Sequence, residues 1–128
     1  MNKEIKDQWV AALRSGEYSQ TTETLCNGYG FCCLGVLCDL YIEQSQSVTE
    51  EQRSYWNNVH EFMIASDPKT QSGGYYENAV LPAAVKNWAG MKTTDGEITR
   101  DVCLASLNDK GMNFDQIADV IDDKWEVL

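Results

Sequence analysis

The sequence is short of positive charge. Its 128 residues hold 10 Lys and Arg against 20 Asp and Glu, which gives a formal net charge of −10. Binding to DNA, RNA or an anionic membrane depends on Lys and Arg, because these cations displace counterions or meet negative head groups. We therefore expect no polymeric nucleic acid and no membrane among the partners of this chain.

Long apolar runs and domain breaks are also missing. The longest near-continuous apolar stretch, 31–38, falls well short of the ~20 residues that a membrane helix needs, and the charged N-terminus has no apolar run of signal-peptide length. Prolines occur only at positions 68 and 82, and no low-complexity stretch divides the chain. These absences predict one globular domain over residues 1–128, located in the cytoplasm of the cell that makes it.

Cysteine is present, but in a pattern that excludes its usual roles. The five thiols form an odd set without a secretory signal, so a disulfide framework is not expected. Structural zinc needs close ligand pairs, and the spacings from Cys26 to Cys32 and from Cys33 to Cys38 do not supply them. A Cys-His nucleophile would depend on His60, the one histidine, and thiols in an apolar run resist ionisation. We expect packed, reduced cysteines, no catalytic residue, no metal and no cofactor.

Apolar spacing predicts a mainly α fold, α+β with a minor hairpin, as a compact bundle of about five helices. A run that is apolar on nearly every side, 31–41, is expected to be the central helix, and Asp95-Gly96 favours a small hairpin or tight loop over 94–97. The other predicted helical segments are 3–14, Glu50 to about Ala65, one from Pro82 to Gly90, a short one over 103–107, and one that Asn113 caps.

Polar and aromatic side chains concentrate around the first loop. Arg14 lies at the end of the first helix, Tyr18 and Gln20 follow it, and Tyr29 and Phe31 come next, up to the start of the central helix. Such a set can hold a nucleotide, with a ring stacked on the base and Arg on a phosphate. The alternative is structural: Arg14 pairs with an acid and the rings belong to the core.

Acidic residues concentrate on the last helix. Asp115, Asp119, Asp122 and Glu126 are spaced so that they lie along one face, opposite the apolar stripe, with Asp123 beside them. One interpretation is mimicry of a phosphate backbone to occupy a DNA-binding protein. The solvated face of an acidic protein is the interpretation that we favour.

The chain resembles a family of small proteins encoded by tailed bacteriophages. The resemblance implies phage origin, the host-cell cytoplasm and an accessory role, and it carries over no reaction. Glu17 stands where that family commonly has Lys. The resemblance is carried by four blocks: Trp9-Val-Ala-Ala-Leu-Arg-Ser-Gly-Glu-Tyr18 with Gln20, Phe31-Cys-Cys-Leu-Gly-Val-Leu-Cys-Asp-Leu40, Leu81-Pro82 with Val85 and Trp88-Ala-Gly90, and Leu107-Asn-Asp109 with Gly111, Phe114, Ile117-Ala118 and Ile121.

An accessory protein without catalytic residues is expected to act by binding. Our leading hypothesis is a host-defence inhibitor that sequesters a small nucleotide immune signal of the cyclic dinucleotide or cyclic ADP-ribose type. Asn108 and Lys110 belong to a predicted short turn between two helices. Such a turn can present an amide, an ammonium and the N–H groups of the last helix to one anion, so both residues are added to the set. The expected ligand-binding residues are Arg14, Tyr18, Gln20, Asn108 and Lys110 for polar contacts, and Tyr29 or Trp88 for stacking.

Two alternatives stay open. The first is an acidic protein-binding inhibitor that docks on a host enzyme through the Asp115–Glu126 face. The second is an enzyme that cleaves nucleotides. The sequence does not choose between a monomer and a homo-oligomer.

Overall fold

The computed structural model describes residues 1–59, 62–64, 75–77 and 79–128. Within these residues, the chain forms helices and two small antiparallel sheets of two strands each, so the prediction of a mainly α fold with a minor hairpin is confirmed. The helices are α1 Lys3–Arg14, α2 Cys33–Gln44, α3 Glu50–Val59, α4 Ala83–Ala89, α5 Leu104–Asp109 and α6 Phe114–Lys124. The strands are β1 Phe62–Ile64, β2 Tyr75–Glu77, β3 Glu97–Thr99 and β4 Val102–Cys103.

Helix α2 is the centre of the molecule, as its apolar sequence predicts. It contacts α1, α3, α4 and α5, and its side chains are buried as far as Ile42 except for the half-buried Asp39. The helix begins after Cys32, whose Sγ accepts a hydrogen bond from the Gly35 amide at 3.4 Å. A helix that is apolar all round can be stable only when other elements cover every side of it.

The first loop folds back against the start of α2. A Cβ atom at Gly35 would lie 1.8 Å from the carbonyl oxygen of Leu25, so the close crossing of loop and helix requires glycine there. The amide of Phe31 donates to the Ser19 carbonyl at 2.8 Å, and the amide of Thr21 donates to the Phe31 carbonyl at 2.9 Å. Both halves of the loop are thereby fixed to each other and to the core.

Helices α1 and α6 pack along each other through their apolar faces. Between them lies the one buried lysine of the described residues, Lys6, whose Nζ is 2.7 Å from Asp7 and 3.0 Å from Asp122. The same ammonium group lies 5.5 Å from the ring centroid of Trp125. Hydrogen bonds to Asp7 and then to Asp122 raise the pKa of Lys6, so this lysine keeps its charge between the two helices.

The end of α3 differs from the sequence prediction. The helix ends at Val59 rather than near Ala65, and Phe62–Ile64 pairs as a strand with Tyr75–Glu77, Phe62 opposite Glu77. Aromatic residues on both segments, together with the β-branched Ile64, favour extended pairing, which overrides the helical spacing. The stretch 67–74, which looks flexible in sequence, lies outside the described residues.

Gly96, with a φ of +72°, follows the bend at 94–95 and belongs to a tight loop that comes before the second hairpin. The chain reverses at 100–101, between Thr99 and Val102, which are Cα partners in that hairpin. No helix among the described residues is long and apolar enough to cross a membrane.

Candidate functional site: two clefts on either side of residues 16–20

Residues 16–20 form a wall between two clefts. Gly16, Tyr18 and Gln20 line one cleft, which also contains Arg14 and which we call the Arg14 cleft. The intervening residues Glu17 and Ser19 line the other cleft, which we call the Tyr29 cleft. Residues along this segment therefore line the two clefts in turn, from Gly16 to Gln20.

The Arg14 cleft has a volume of about 320 Å³ and is completed by Asn113 and Asp115 at the start of α6. The Nη2 atom of Arg14 donates to Asp119 Oδ1 at 2.6 Å and lies 3.7 Å from Asp122 Oδ2. The hydrogen bond to Asp119 is the main cause that raises the pKa of Arg14. Nη1 and Nε of Arg14 have no acceptor among the described residues.

Gln20 is held from behind by Asn108. Its Nε2 donates to Asn108 Oδ1 at 2.9 Å and to the Met112 carbonyl at 2.8 Å, which leaves Oε1 as the acceptor of that amide. Asn108 is fully buried; its Oδ1 also accepts from the Cys33 amide at 3.1 Å, and its Nδ2 donates to the Thr21 carbonyl at 2.8 Å. One buried amide therefore joins α5, the start of α2 and the wall between the clefts.

The Tyr29 cleft has a volume of about 240 Å³ and an aromatic lining. Phe31 and Trp56 lie against each other with ring centroids 6.2 Å apart, and Tyr29 projects from the turn beside them. The carboxyl groups of Glu17 and Asp39 also line the cleft. Among the described residues that line it there is no Lys, Arg or His.

Asp39 connects the two clefts through Tyr18. Its Oδ2 accepts from the Tyr18 hydroxyl at 2.7 Å, and its Oδ1 accepts from Trp56 Nε1 at 2.9 Å. Burial first, and then the hydrogen bond to Asp39, raise the pKa of Tyr18 well above its ordinary value, so the hydroxyl stays protonated and donates. The Tyr18 ring packs edge-on against Phe31 with centroids 5.1 Å apart.

The structure brings together only some of the ligand-binding residues that the sequence predicts. Arg14, Tyr18 and Gln20 line one cleft, whereas Tyr29 lies on the other side of the wall. Asn108 is buried behind Gln20 and faces neither cleft. The remaining two residues line neither cleft: Trp88 is half-buried with its ring centroid 5.4 Å from that of Tyr41, and Lys110 is exposed just after α5.

The acidic face of α6 takes part in internal pairing. Asp119 contacts Arg14, and Asp122 contacts both Arg14 and Lys6, so two of its carboxylates are partly neutralised by α1. Asp115 and Glu126 are exposed and make no ion pair within the described residues. The use of this face to bind a host enzyme stays a prediction.

The five cysteines form no disulfide with one another; four of them are buried and Cys103 is half-buried. Burial raises the pKa of Cys32 to about 11 and that of Cys33 well above its ordinary value, which keeps both protonated near neutral pH. His60 lies outside the described residues. Within the described residues, no group of three or more Cys, His, Asp or Glu side chains is placed to hold a metal ion.

Sequence reasoning missed the Asp39 contacts. Asp39 is the one charged residue in the apolar run 31–41, and such a residue in a buried helix needs hydrogen-bond donors. That signal marks Asp39 as an anchor. It does not identify the donors Tyr18 and Trp56, because both come from other elements.

Comparison with known proteins identifies the family. The family model described as "Domain of unknown function (DUF8296)" matches residues 1–125, so the chain belongs to this family of domains of unknown function. Searches of curated proteins and of solved structures found no match.

Proposed function

We propose that this protein is a phage accessory protein that binds and sequesters a small nucleotide signal of the host, with the Arg14 cleft as the binding site. The observation that carries the proposal is that Arg14, Tyr18 and Gln20 line one cleft of about 320 Å³ at the start of α6. A cation, an amide oxygen and an aromatic edge in one cleft are the groups that bind a phosphate, a sugar hydroxyl and a base.

Arg14 is suited to hold a phosphate without leaving its place. Its contacts with Asp119 and Asp122 use only Nη2, so Nη1 and Nε, which lie on opposite edges of the guanidinium, each remain to donate a single hydrogen bond to a phosphate oxygen. The positive end of the α6 dipole lies at the same cleft and favours a negative group.

The surrounding carboxylates set the expected selectivity. Asp115 lines the cleft and Asp119 holds Arg14, so a bare anion is repelled as well as attracted. A ligand must add contacts through its base and sugar to overcome this repulsion. We therefore expect a whole nucleotide to bind and inorganic phosphate to bind at least tenfold more weakly, a difference of about 1.4 kcal/mol.

Calorimetric titration with cyclic dinucleotides and cyclic ADP-ribose isomers tests the proposal. We expect saturable binding of one class by the wild type, and a loss of at least about tenfold in Arg14→Gln, since a hydrogen bond to a charged group contributes about 1.5–3 kcal/mol. Arg100→Gln, at an exposed arginine between β3 and β4, is the matched control and should bind as the wild type does.

The proposal fails if no member of this panel binds, or if Arg14→Gln binds as tightly as Arg100→Gln. Recovery of the bound ligand after the titration separates the enzymatic alternative. An intact ligand fits sequestration, and a cleaved one would assign the Arg14 cleft to a nucleotide-cleaving enzyme.

A further inference from the structure

Tyr29 is displayed on a fixed turn with almost no cover. Tyr29 is 91% exposed, the largest exposure among the large hydrophobic residues that the structure describes. Asn27 Oδ1 accepts from the amides of Tyr29 at 3.0 Å and Gly30 at 2.9 Å, and its Nδ2 donates to Thr21 Oγ1 at 3.0 Å. Gly28 supplies the φ of +85° that this turn uses. The ring is held beside the cleft by the backbone and not by contacts of its own.

The cleft beside this ring is compact and has an aromatic floor. Phe31 and Trp56 form that floor, and Trp56 is only 2% exposed with its indole N–H bonded to Asp39. A volume of about 240 Å³ is below the ~300–1,000 Å³ of pockets that enclose drug-sized ligands. Such a cleft suits a single head group.

The charged residues that line the cleft are both acidic. Glu17 and Asp39 line it, and the Glu17 carboxylate makes no hydrogen bond or ion pair within the described residues. Glu43 lies close to Asp39. Burial first, and then the Asp39 carboxylate, raise the pKa of Glu43. Arg53, the cation that acts on Glu43, donates to the Ile42 carbonyl and does not line the cleft.

We propose that the Tyr29 cleft is a second binding site, separate from the Arg14 cleft, for a compact organic cation that ends in a guanidinium or primary ammonium group. The cation lies against the Tyr29 ring and donates to the free carboxylate of Glu17. Ring faces attract cations, and a carboxylate strengthens the attraction at close range. A phosphate would meet carboxylates and no cation here, so we expect nucleotides to bind in the Arg14 cleft and not in this one.

Two sources supply this head group: a free small amine, or an arginine side chain of a peptide. Agmatine represents the first, and N-acetyl-arginine amide represents the second. N-acetyl-citrulline amide has nearly the same size and shape as the arginine probe but carries no charge, so it isolates the contribution of charge.

The indole N–H of Trp56 reports directly on the cleft. In protein labelled with ¹⁵N, this resonance is one of four indole signals, and Trp56→Phe identifies it by removing it. We expect a saturable shift with at least one cationic probe and none with the citrulline probe. Tighter binding of agmatine identifies a free amine as the source, and tighter binding of the arginine probe identifies a peptide side chain.

Variants complete the test. Tyr29→Ala and Glu17→Gln should each weaken the cationic probe about tenfold, as expected for loss of a cation–π contact or of a charge partner. Val127→Ala and Glu97→Gln, at exposed positions away from the cleft, are the matched controls and should leave binding unchanged. All four substituted residues are exposed, so each variant should keep the fold of the wild type.

Three results would overturn the proposal: equal shifts with the charged and uncharged probes, no saturable shift at ~10 mM of either cation, or unchanged binding in Tyr29→Ala. Its outcome is independent of the nucleotide proposal. Arg14→Gln should leave the cation titration unchanged, and Tyr29→Ala should leave the nucleotide titration unchanged.

Discussion

The Arg14 cleft and the Tyr29 cleft share one wall but use their charged groups in opposite ways. Arg14 is already held by Asp119 and Asp122, so an anionic ligand has to share it with two carboxylates. In the Tyr29 cleft, Glu17 has no ion-pair partner among the described residues, and the ring of Tyr29 is exposed. A cation can enter there without breaking an existing ion pair.

This difference follows from the composition of the chain. With twice as many acidic as basic side chains, a cation finds a carboxylate nearby more readily than a carboxylate finds a cation. Scarce cations become part of the internal structure, as Lys6 and Arg14 do between α1 and α6. The surplus carboxylates are then left to face solvent or a ligand.

Because one segment forms both clefts, the largest effect is expected from the residue that anchors it. Asn108→Ala removes the partner of the Cys33 amide, the Thr21 carbonyl and the Gln20 amide at a buried position. Each buried group left without a partner costs about 1–3 kcal/mol, and water that enters the space lowers the total. We expect the free energy of unfolding to fall by about 3 kcal/mol, measured by urea denaturation.

Both clefts should lose affinity for their ligands together in Asn108→Ala, because the wall between them is no longer fixed. Asn87→Ala, at an exposed position on α4, is the control and should change stability by no more than about 0.5 kcal/mol. A loss below about 1 kcal/mol in Asn108→Ala would mean that other contacts hold the wall.

The second prediction separates the clefts. Asp39→Asn keeps the size of the side chain, but its NH₂ group must face one of two donors, the Tyr18 hydroxyl or the Trp56 indole. We expect a loss of about 2 kcal/mol in the free energy of unfolding. The same change should weaken cation binding at the Tyr29 cleft and leave nucleotide binding at the Arg14 cleft within about twofold, measured by the two titrations above.

Asp101→Asn, on the exposed turn between β3 and β4, serves as the charge-matched control for that substitution. It removes the same net charge without touching either cleft, so both affinities should stay at the wild-type level. If Asp39→Asn lowered the cation affinity and the nucleotide affinity equally, the two clefts would not be separate sites. Asp39 would then act by stabilising the whole 16–20 wall.

The sequence predicts features whose contacts join residues close together in the chain, and it predicts poorly those whose contacts join residues far apart in the chain. The amphipathic helices α1 and α6 follow from local periodicity, and their positions agree with the structure. The buried α2 follows from the apolar run 31–41 and the polar residues after it, and the structure places it at Cys33–Gln44. Asn113 is also identified locally, because the capping box that it forms with Gln116 lies within one helical turn.

The sheet of β1 and β2 and the separation of the two clefts are not local. Phe62–Ile64 keeps helical spacing with α3, and only its pairing with Tyr75–Glu77 makes it a strand. Tyr29 and Arg14 are both close to the first loop in sequence, yet they lie on opposite sides of the 16–20 wall. Asn108 resembles a surface turn residue in sequence and is fully buried in the fold.

The smallest predicted effect concerns the hydroxyl that joins the two clefts, and its sign follows from the pKa of Tyr18. Folding raises that pKa above the ordinary value of 10.0, so the folded state binds the phenolic proton more tightly than the unfolded state does. The stabilisation is therefore complete below about pH 10 and is lost as the pH rises further. Tyr18→Phe should lower the free energy of unfolding by about 1 kcal/mol near neutral pH, and this deficit should shrink above about pH 10.

Urea denaturation of both proteins across this pH range measures the deficit. The raised pKa of Cys32 also makes stability fall at alkaline pH, but this thiol is common to both proteins and its effect cancels in the difference. A deficit that stays constant through about pH 11 would show that folding does not raise the pKa of Tyr18. A deficit that shrinks as expected would show that the folded state holds the Tyr18 proton through burial and through the hydrogen bond to Asp39, which joins the two sides of the wall because Tyr18 lines one cleft and Asp39 the other.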